Sequence, residues 1–183
     1  MYFATSNKNK LVEIERLLGV PVEGVKLEID EVQTLNPEEC ARKKAVAAYQ
    51  EFGKPVLVED TALFFYAWNG VSNGYGLPGV FIDYFMKTLH INGILKLMKD
   101  ESDRRAYATT TLAISHNGKT AQTYSGKVEG SISSEMRGNS NFGWDPIFIP
   151  DGADKTFAEM TETEKDRYSM RRLAIEEYKK ARG

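Results

Sequence analysis

Gly53-Lys54-Pro55-Val56-Leu57-Val58-Glu59-Asp60-Thr61 decides the fold class. Residues 55–58 are continuously apolar, too few for a helix, and are bounded by Gly53 on one side and a carboxylate pair on the other. Such a run suits an interior strand covered on both faces, the kind found in α/β sheets. Its C-terminal end then carries Glu59, Asp60 and Thr61, in the position where open α/β sheets bind ligands. Adjacent strand residues point to opposite faces, so at most one of the two carboxylates is expected to face a ligand unless the chain turns there. A charge beside a core calls for a metal or an ion-pair partner.

Strand and helix alternate on the N-terminal side. Tyr2 to Thr5 reads as a buried strand, and Ser6 and Asn7 are good N-cap types for a helix from about Lys8 to Leu18 that Gly19 and Pro21 stop. Val25 to Ile29 suits a second strand, and Pro37 starts a helix running to Phe52. On the C-terminal side the glycines between Trp68 and Gly79 predict a loop before a short helix. Two β-rich runs, Arg105 to Ser115 and Lys119 to Val128, flank Asn117-Gly118 and predict a long hairpin whose turn residues both tolerate positive φ. Thr161 and Glu164 form a capping box for a last helix through Met170, Leu173, Ala174 and Tyr178.

The chain has 183 residues, 42% of them apolar, enough for one substantial core, so residues 1–183 are expected to form a single domain. With 24 basic and 26 acidic side chains the net charge is -2, which argues against nucleic acid or a membrane surface as the main partner. Cys40 is the single cysteine, which excludes an intrachain disulfide framework and fits a reducing, cytoplasmic setting. No apolar run approaches membrane-spanning length.

Four groups of residues could carry chemistry. Thr5-Ser6-Asn7-Lys8-Asn9-Lys10 joins a strand to a helix, and free amides, hydroxyls and two ammonium groups there could cradle a polyphosphate. The motif by itself is more often an ordinary cap with two solvated lysines, although lysines are unfavourable at a helix start and favour an anion nearby. Glu59-Asp60-Thr61 is the second group, to which Glu31 could add an oxygen ligand for a hard cation. In Phe142-Gly143-Trp144-Asp145-Pro146 an aromatic ring could stack on a base and the carboxylate accept from it, or the rings could be core. Lys165, Ser169 and Arg171 follow near the last helix, where Arg171 could donate to a base carbonyl or simply be solvated. Gly118-Lys119-Thr120 resembles the tail of a P-loop, but Ala113 stands where that motif needs glycine. His90 and His116 assemble nothing, and Cys40 lacks a histidine companion.

In order along the chain, Thr5-Ser6-Asn7 with Lys10, Val58-Glu59-Asp60-Thr61, Leu77-Pro78-Gly79, Phe142-Gly143-Trp144-Asp145-Pro146, Phe157-Ala158-Glu159-Met160 and Glu164-Lys165 resemble the inosine triphosphate pyrophosphatases, more the eukaryotic branch than the bacterial one. The resemblance covers essentially the whole chain. It implies an α/β fold of two lobes around a long mixed sheet with a central nucleotide-binding cleft, in a homodimer. It implies that Thr5 to Lys10 hold the triphosphate with Lys44, that Glu31 and Asp60 hold Mg²⁺, with Mn²⁺ as an alternative, and that Thr61 touches the nucleotide. Phe142, Gly143, Trp144, Asp145, Lys165, Ser169 and Arg171 would line the base end. Asp60 or Glu59 would then orient or deprotonate the water that releases pyrophosphate from ITP, dITP or XTP. Met170 stands where the family usually has histidine, and Asp83 where eukaryotic relatives tend to carry a base. Two alternatives stand beside this reading: a pyrophosphatase for modified pyrimidine nucleotides, like the Maf proteins, and a catalytically silent nucleotide-binding module.

Overall fold

The computed structural model describes residues 1–30, 32–69, 76–139 and 142–183. Seven strands form one mixed sheet in the order β2-β1-β3-β5-β6-β7, with β4 paired to β3 off that path. β1 (Tyr2–Ala4) is parallel to both β2 (Glu23–Val25) and β3 (Leu57–Asn69), the latter through Phe3 and Leu57. β4 (Gly76–Gly79) is antiparallel to β3, and β7 (Phe148–Pro150) is antiparallel to β6 (Ala121–Ile132). β5 (Arg105–Ser115) lies between β3 and β6. The chain divides into two compact units, both discontinuous in sequence: Met1–Thr61, Thr110–Gly126 and Arg171–Gly183 form the first, Ala62–Thr109 and Lys127–Met170 the second.

In the first unit, helix α1 (Lys8–Leu18) begins at Asn7, whose side chain accepts from the amides of Asn9 and Lys10, and ends at Gly19 with φ of 72°. Helix α2 (Pro37–Phe52) begins at Asn36, which accepts from Glu38 and Glu39, and ends at Gly53 with φ of 74°. Both helices therefore start at a side-chain acceptor and stop where only glycine takes a left-handed backbone at no steric cost. Leu57, Leu112 and Ile114 pack with Ile14 and Leu18 of α1 and with Ala174, Ile175 and Tyr178 of α5 (Met170–Lys180). Val56, Val58 and Ala113 pack with Ala41, Ala45 and Ala48 of α2. Neighbouring strand residues thus enter different cores, as the period of two requires, and alanines on α2 let that helix approach closely.

The second unit packs Leu63, Phe65, Ala106, Ala108 and Ile132 with Ile82, Ile91 and Ile94 of α3 (Ile82–Leu97) and with Trp144, Phe148, Phe157 and Met170.

Several sequence expectations change. The second strand, expected over Val25 to Ile29, lies earlier and is shorter: β2 ends at Val25, because only Glu23, Gly24 and Val25 pair with β1. β3 extends to Asn69, and Gly76 to Gly79 form a strand where a loop was expected; residues 70–75 of that segment lie outside the described residues. The helix that follows is long, and His90 interrupts it at φ of 55°. At the hairpin Gly118 takes φ of 66° but Asn117 does not; the Asn117 side chain instead accepts from the amides of Lys119 and Thr120. The Thr161 and Glu164 capping box is present, yet Ser169 turns extended and splits the last helix into α4 (Glu162–Tyr168) and α5. The break falls between α4 and residues committed to two different cores, Met170 in the second unit and Ala174 in the first.

Ile14 is fully buried and Val12, two residues earlier on α1, is largely exposed. Ile14→Ala is expected to lower unfolding stability by about 2–5 kcal/mol and Val12→Ala by less than about 0.5 kcal/mol, measured by denaturant unfolding.

Candidate active site

The turn from Thr5 to Lys10 caps its own helix. Thr5 Oγ1 accepts from the Asn7 amide at 3.0 Å, and Asn7 Oδ1 accepts from the amides of Asn9 at 3.0 Å and Lys10 at 3.2 Å. These amides were expected to be free for an anion; side-chain oxygens occupy them because a helix start leaves donors that must be satisfied. Ser6, Lys8 and Asn9 are exposed, while Lys10 is half-buried, with Nζ 3.2 Å from Glu59 Oε1.

Glu59 and Asp60 go to opposite faces of β3, as the period of two predicts. Glu59 is 4% exposed. Arg171 grips it with two donors, Nε to Oε2 at 2.6 Å and Nη2 to Oε1 at 2.9 Å, and donates from Nη1 to Glu13 Oε2 at 2.7 Å. Thr61 Oγ1 donates to Glu59 Oε1 at 3.1 Å and lies 3.4 Å from Thr110 Oγ1. Burial alone would push the Glu59 carboxyl up; the Arg171 guanidinium first and Lys10 second outweigh it and hold the group well below the usual carboxylate range. A carboxylate so stabilised in its charged form is a poor proton acceptor.

Asp60 is half-buried on the α2 side, where Lys44 Nζ donates to Oδ1 at 3.4 Å. Glu31, expected as a second metal ligand, lies outside the described residues. Among the described residues no group of three or more His, Cys, Asp or Glu side chains could hold a metal ion.

In the second unit, Gly143 takes φ of 56° and the Asp145 amide donates to the Phe142 carbonyl at 3.1 Å, a turn that only glycine enters without strain. The turn sets Asp145, itself buried, against Lys165, whose Nζ donates to Oδ2 at 2.5 Å and lies 4.7 Å from the Phe142 ring centre and 5.3 Å from that of Phe157. Trp144 is buried, edge-on to Phe148 at 5.4 Å and tilted against Phe157 at 6.3 Å, so its ring serves the core. Ser169 is buried at the end of α4, and Met170 is buried in the same aromatic cluster rather than in a stripe with Ala174 and Tyr178.

Arg171, in the first unit, is 1% exposed and lies between Glu59 and Glu13. Solvation of the guanidinium would leave the buried Glu59 carboxylate with Lys10 as its remaining counter-charge and Glu13 without its guanidinium partner, which accounts for where the guanidinium goes. Glu13 escaped the sequence reading. Its signal was an acid one position before Ile14, on the side of α1 that turns toward the core. Within the first unit Lys10, Glu59, Arg171 and Thr61 are thus brought together and Lys44 and Asp60 are paired; within the second, Phe142, Asp145 and Lys165 form a cluster.

These features define a mixed α/β protein in which strand-end carboxylates are each set against a lysine, an arrangement suited to anionic, phosphate-bearing ligands. The chain belongs to the Ham1 family, whose sequence model matches residues 1–181. It is similar to a protein of Hyperthermus butylicus named dITP/XTP pyrophosphatase, 41% identical over 95% of this chain and 90% of that one. It is also similar to the inosine triphosphate pyrophosphatase of Aspergillus fumigatus, 42% identical over 97% of this chain and 91% of that one. A solved HAM1 protein from Coxiella burnetii shares the fold with a TM-score of 0.83 at 29% identity, covering 98% of this chain and 96% of that one.

Two measurements check the site geometry. Arg171→Met should destabilise the protein by about 3–5 kcal/mol, because it strands Glu59 and Glu13. In the α4 cap, hydrogen bonds from Lys155, then from the Thr161 amide and hydroxyl, lower the Glu164 carboxyl to about 2. A depressed carboxylate contributes stability that is present above its unfolded value and lost as pH falls through the folded one. The Glu164 carboxyl carbon followed by NMR should therefore titrate near pH 2, and in Lys155→Met its midpoint should move up toward 4.5.

Proposed function

We propose that this chain is a nucleoside triphosphate pyrophosphohydrolase acting on non-canonical purine nucleotides, ITP, dITP and XTP, which it splits to the monophosphate and pyrophosphate. One observation carries the reading: the Ham1 match spans residues 1–181 and so takes in both the Asp60–Lys44 pair and the Phe142–Asp145–Lys165 cluster. The names of the archaeal and fungal relatives supply the substrates.

Water attacks the α-phosphorus; a new P–O bond forms, the bond to the β-phosphate oxygen breaks, and pyrophosphate leaves. Asp60 orients that water and accepts its proton, a role that falls to it rather than to Glu59 because Glu59 is buried under Arg171 and Lys10. Lys44, together with Lys8 and Lys10, neutralises the phosphate chain. Mg²⁺, or Mn²⁺, would be held by Asp60, a hard carboxylate half-buried beside Lys44, with Glu31 as the second carboxylate. Such an ion, when bound, polarises the phosphate oxygens and lowers the pKa of bound water.

At the base end Lys165, a donor without acceptor capacity, satisfies the 6-keto oxygen of hypoxanthine or xanthine and offers nothing to the 6-amino group of adenine. Phe142 supplies the ring on which a base can stack. The working form is proposed as a cytoplasmic homodimer; no helix among the described residues is long and apolar enough to cross a membrane.

Release of pyrophosphate, measured separately from orthophosphate, should proceed with ITP, dITP and XTP, depend on Mg²⁺, and be slow with ATP. Orthophosphate as the product, or binding of ITP without turnover, would overturn the reading. Asp60→Asn should retain the fold by circular dichroism and lose at least about a thousandfold in kcat, the scale expected when proton acceptor and metal ligand are lost together.

A further inference from the structure

We propose that Glu59 is a positioning residue: its buried carboxylate fixes the Lys10 ammonium and the Thr61 hydroxyl at the meeting of α1 and β3, and acts on substrate only through them. The substrate part of this inference rests on the function proposed above.

The geometry leaves Glu59 no other part. An ionised carboxylate offers about four acceptor sites. Here four donors reach it: Arg171 Nε on Oε2, and Arg171 Nη2, Lys10 Nζ and Thr61 Oγ1 on Oε1. At 4% exposure there is no room for a water to be activated at the same oxygens. The carboxylate is also immobile, because Glu13 holds Arg171 from its far side. A chain of alternating charge, Glu13, Arg171, Glu59, Lys10, therefore ends on the one member that is substantially open to solvent, Lys10, whose side chain is 28% exposed.

Two consequences follow for a phosphate-bearing ligand. Lys10 commits one of its N–H donors to Glu59 and stands already ordered at the start of α1, so binding does not incur the side-chain entropy loss of a free lysine. Thr61 gives its proton to Glu59, so toward a ligand its hydroxyl presents lone pairs: it accepts from a sugar hydroxyl or a water and cannot donate to a phosphate oxygen. Glu59 also brings a negative charge near the anion, and Arg171 offsets it, which is why the carboxylate can order Lys10 without cancelling its attraction.

The test is a double-substitution cycle with Glu59→Gln, Lys10→Met and both together, read by kcat and KM for pyrophosphate release from ITP and by calorimetric binding of inorganic tripolyphosphate. Lys10→Met is expected to weaken tripolyphosphate about tenfold, the worth of one charge-assisted hydrogen bond. Glu59→Gln is expected to lower kcat/KM in the presence of Lys10, and the double variant to match Lys10→Met within about twofold, the limit of additivity error. Effects that multiply in the double variant would mean that Glu59 acts independently of Lys10, and would overturn the proposal, as would an unchanged kcat/KM in Glu59→Gln. A role in folding alone would lower the melting temperature without this dependence on Lys10. Should Glu59→Gln fail to fold, Glu59→Asp, which keeps the charge for Arg171 but withdraws it from Lys10, takes its place in the cycle with the same expected outcome. A wild-type protein that binds tripolyphosphate but releases no pyrophosphate would sink the proposed activity while leaving the Lys10–Glu59 coupling measurable in the binding cycle. Failure to bind tripolyphosphate at all would overturn the positioning role.

Discussion

The buried ion pair between Arg171 and Glu59 constrains the first unit more than any other contact. Removing both charges from water carries a penalty of several kcal/mol per ion, recovered only when geometry and additional hydrogen bonds are good. Here the guanidinium meets one carboxylate with two donors and a second carboxylate with a third. That requirement fixes three elements at once: Glu59 on β3, Glu13 on α1, and the first turn of α5. It also accounts for the sequence around α5, where Ser169 breaks the helix, Met170 fills an aromatic core and the next residue is an arginine that no solvent reaches.

The same pair gives two neighbouring acids different surroundings. Along β3, Leu57, Glu59 and Thr61 share one face with α1 and α5, while Val58 and Asp60 share the other with α2. One carboxylate is therefore saturated and buried, and the next in sequence stands half-buried beside a lysine. Environment, not residue type, decides which of them chemistry can use.

Much of this could be read in advance, and the limits have physical causes. The apolar run 56–58 with its acid pair identified an interior strand, and Asn7, Gly19, Asn36-Pro37 and Gly53 marked the bounds of α1 and α2 because caps and left-handed glycines are local signals. Opposite orientation of Glu59 and Asp60 followed from the pleat alone. Partner choice did not, since Arg171 meets Glu59 across 112 positions of sequence and Glu13 lies on a helix whose other charges are ordinary. Trp144 illustrates the same limit: an aromatic residue beside glycine and an acid can be core or ligand platform until the packing of Phe148 and Phe157 on it is known. Strand length was legible only where the apolar run was continuous, so β3 ran to Asn69, past the carboxylate pair expected to mark its end.

Lys10, Lys44 and Lys165 are each held by a carboxylate, Glu59, Asp60 and Asp145 respectively. Long side chains ordered before a ligand arrives avoid a loss of up to about 2 kcal/mol of rotamer entropy apiece. The arrangement has an electrostatic consequence, however: each pair is close to neutral, and the chain as a whole carries a net charge of -2. Ordered lysines alone then provide direction and hydrogen bonds for a triphosphate but little long-range attraction. A divalent cation brought in with the phosphates, for which Asp60 is the proposed ligand, would add positive charge that lysines already paired with carboxylates do not supply.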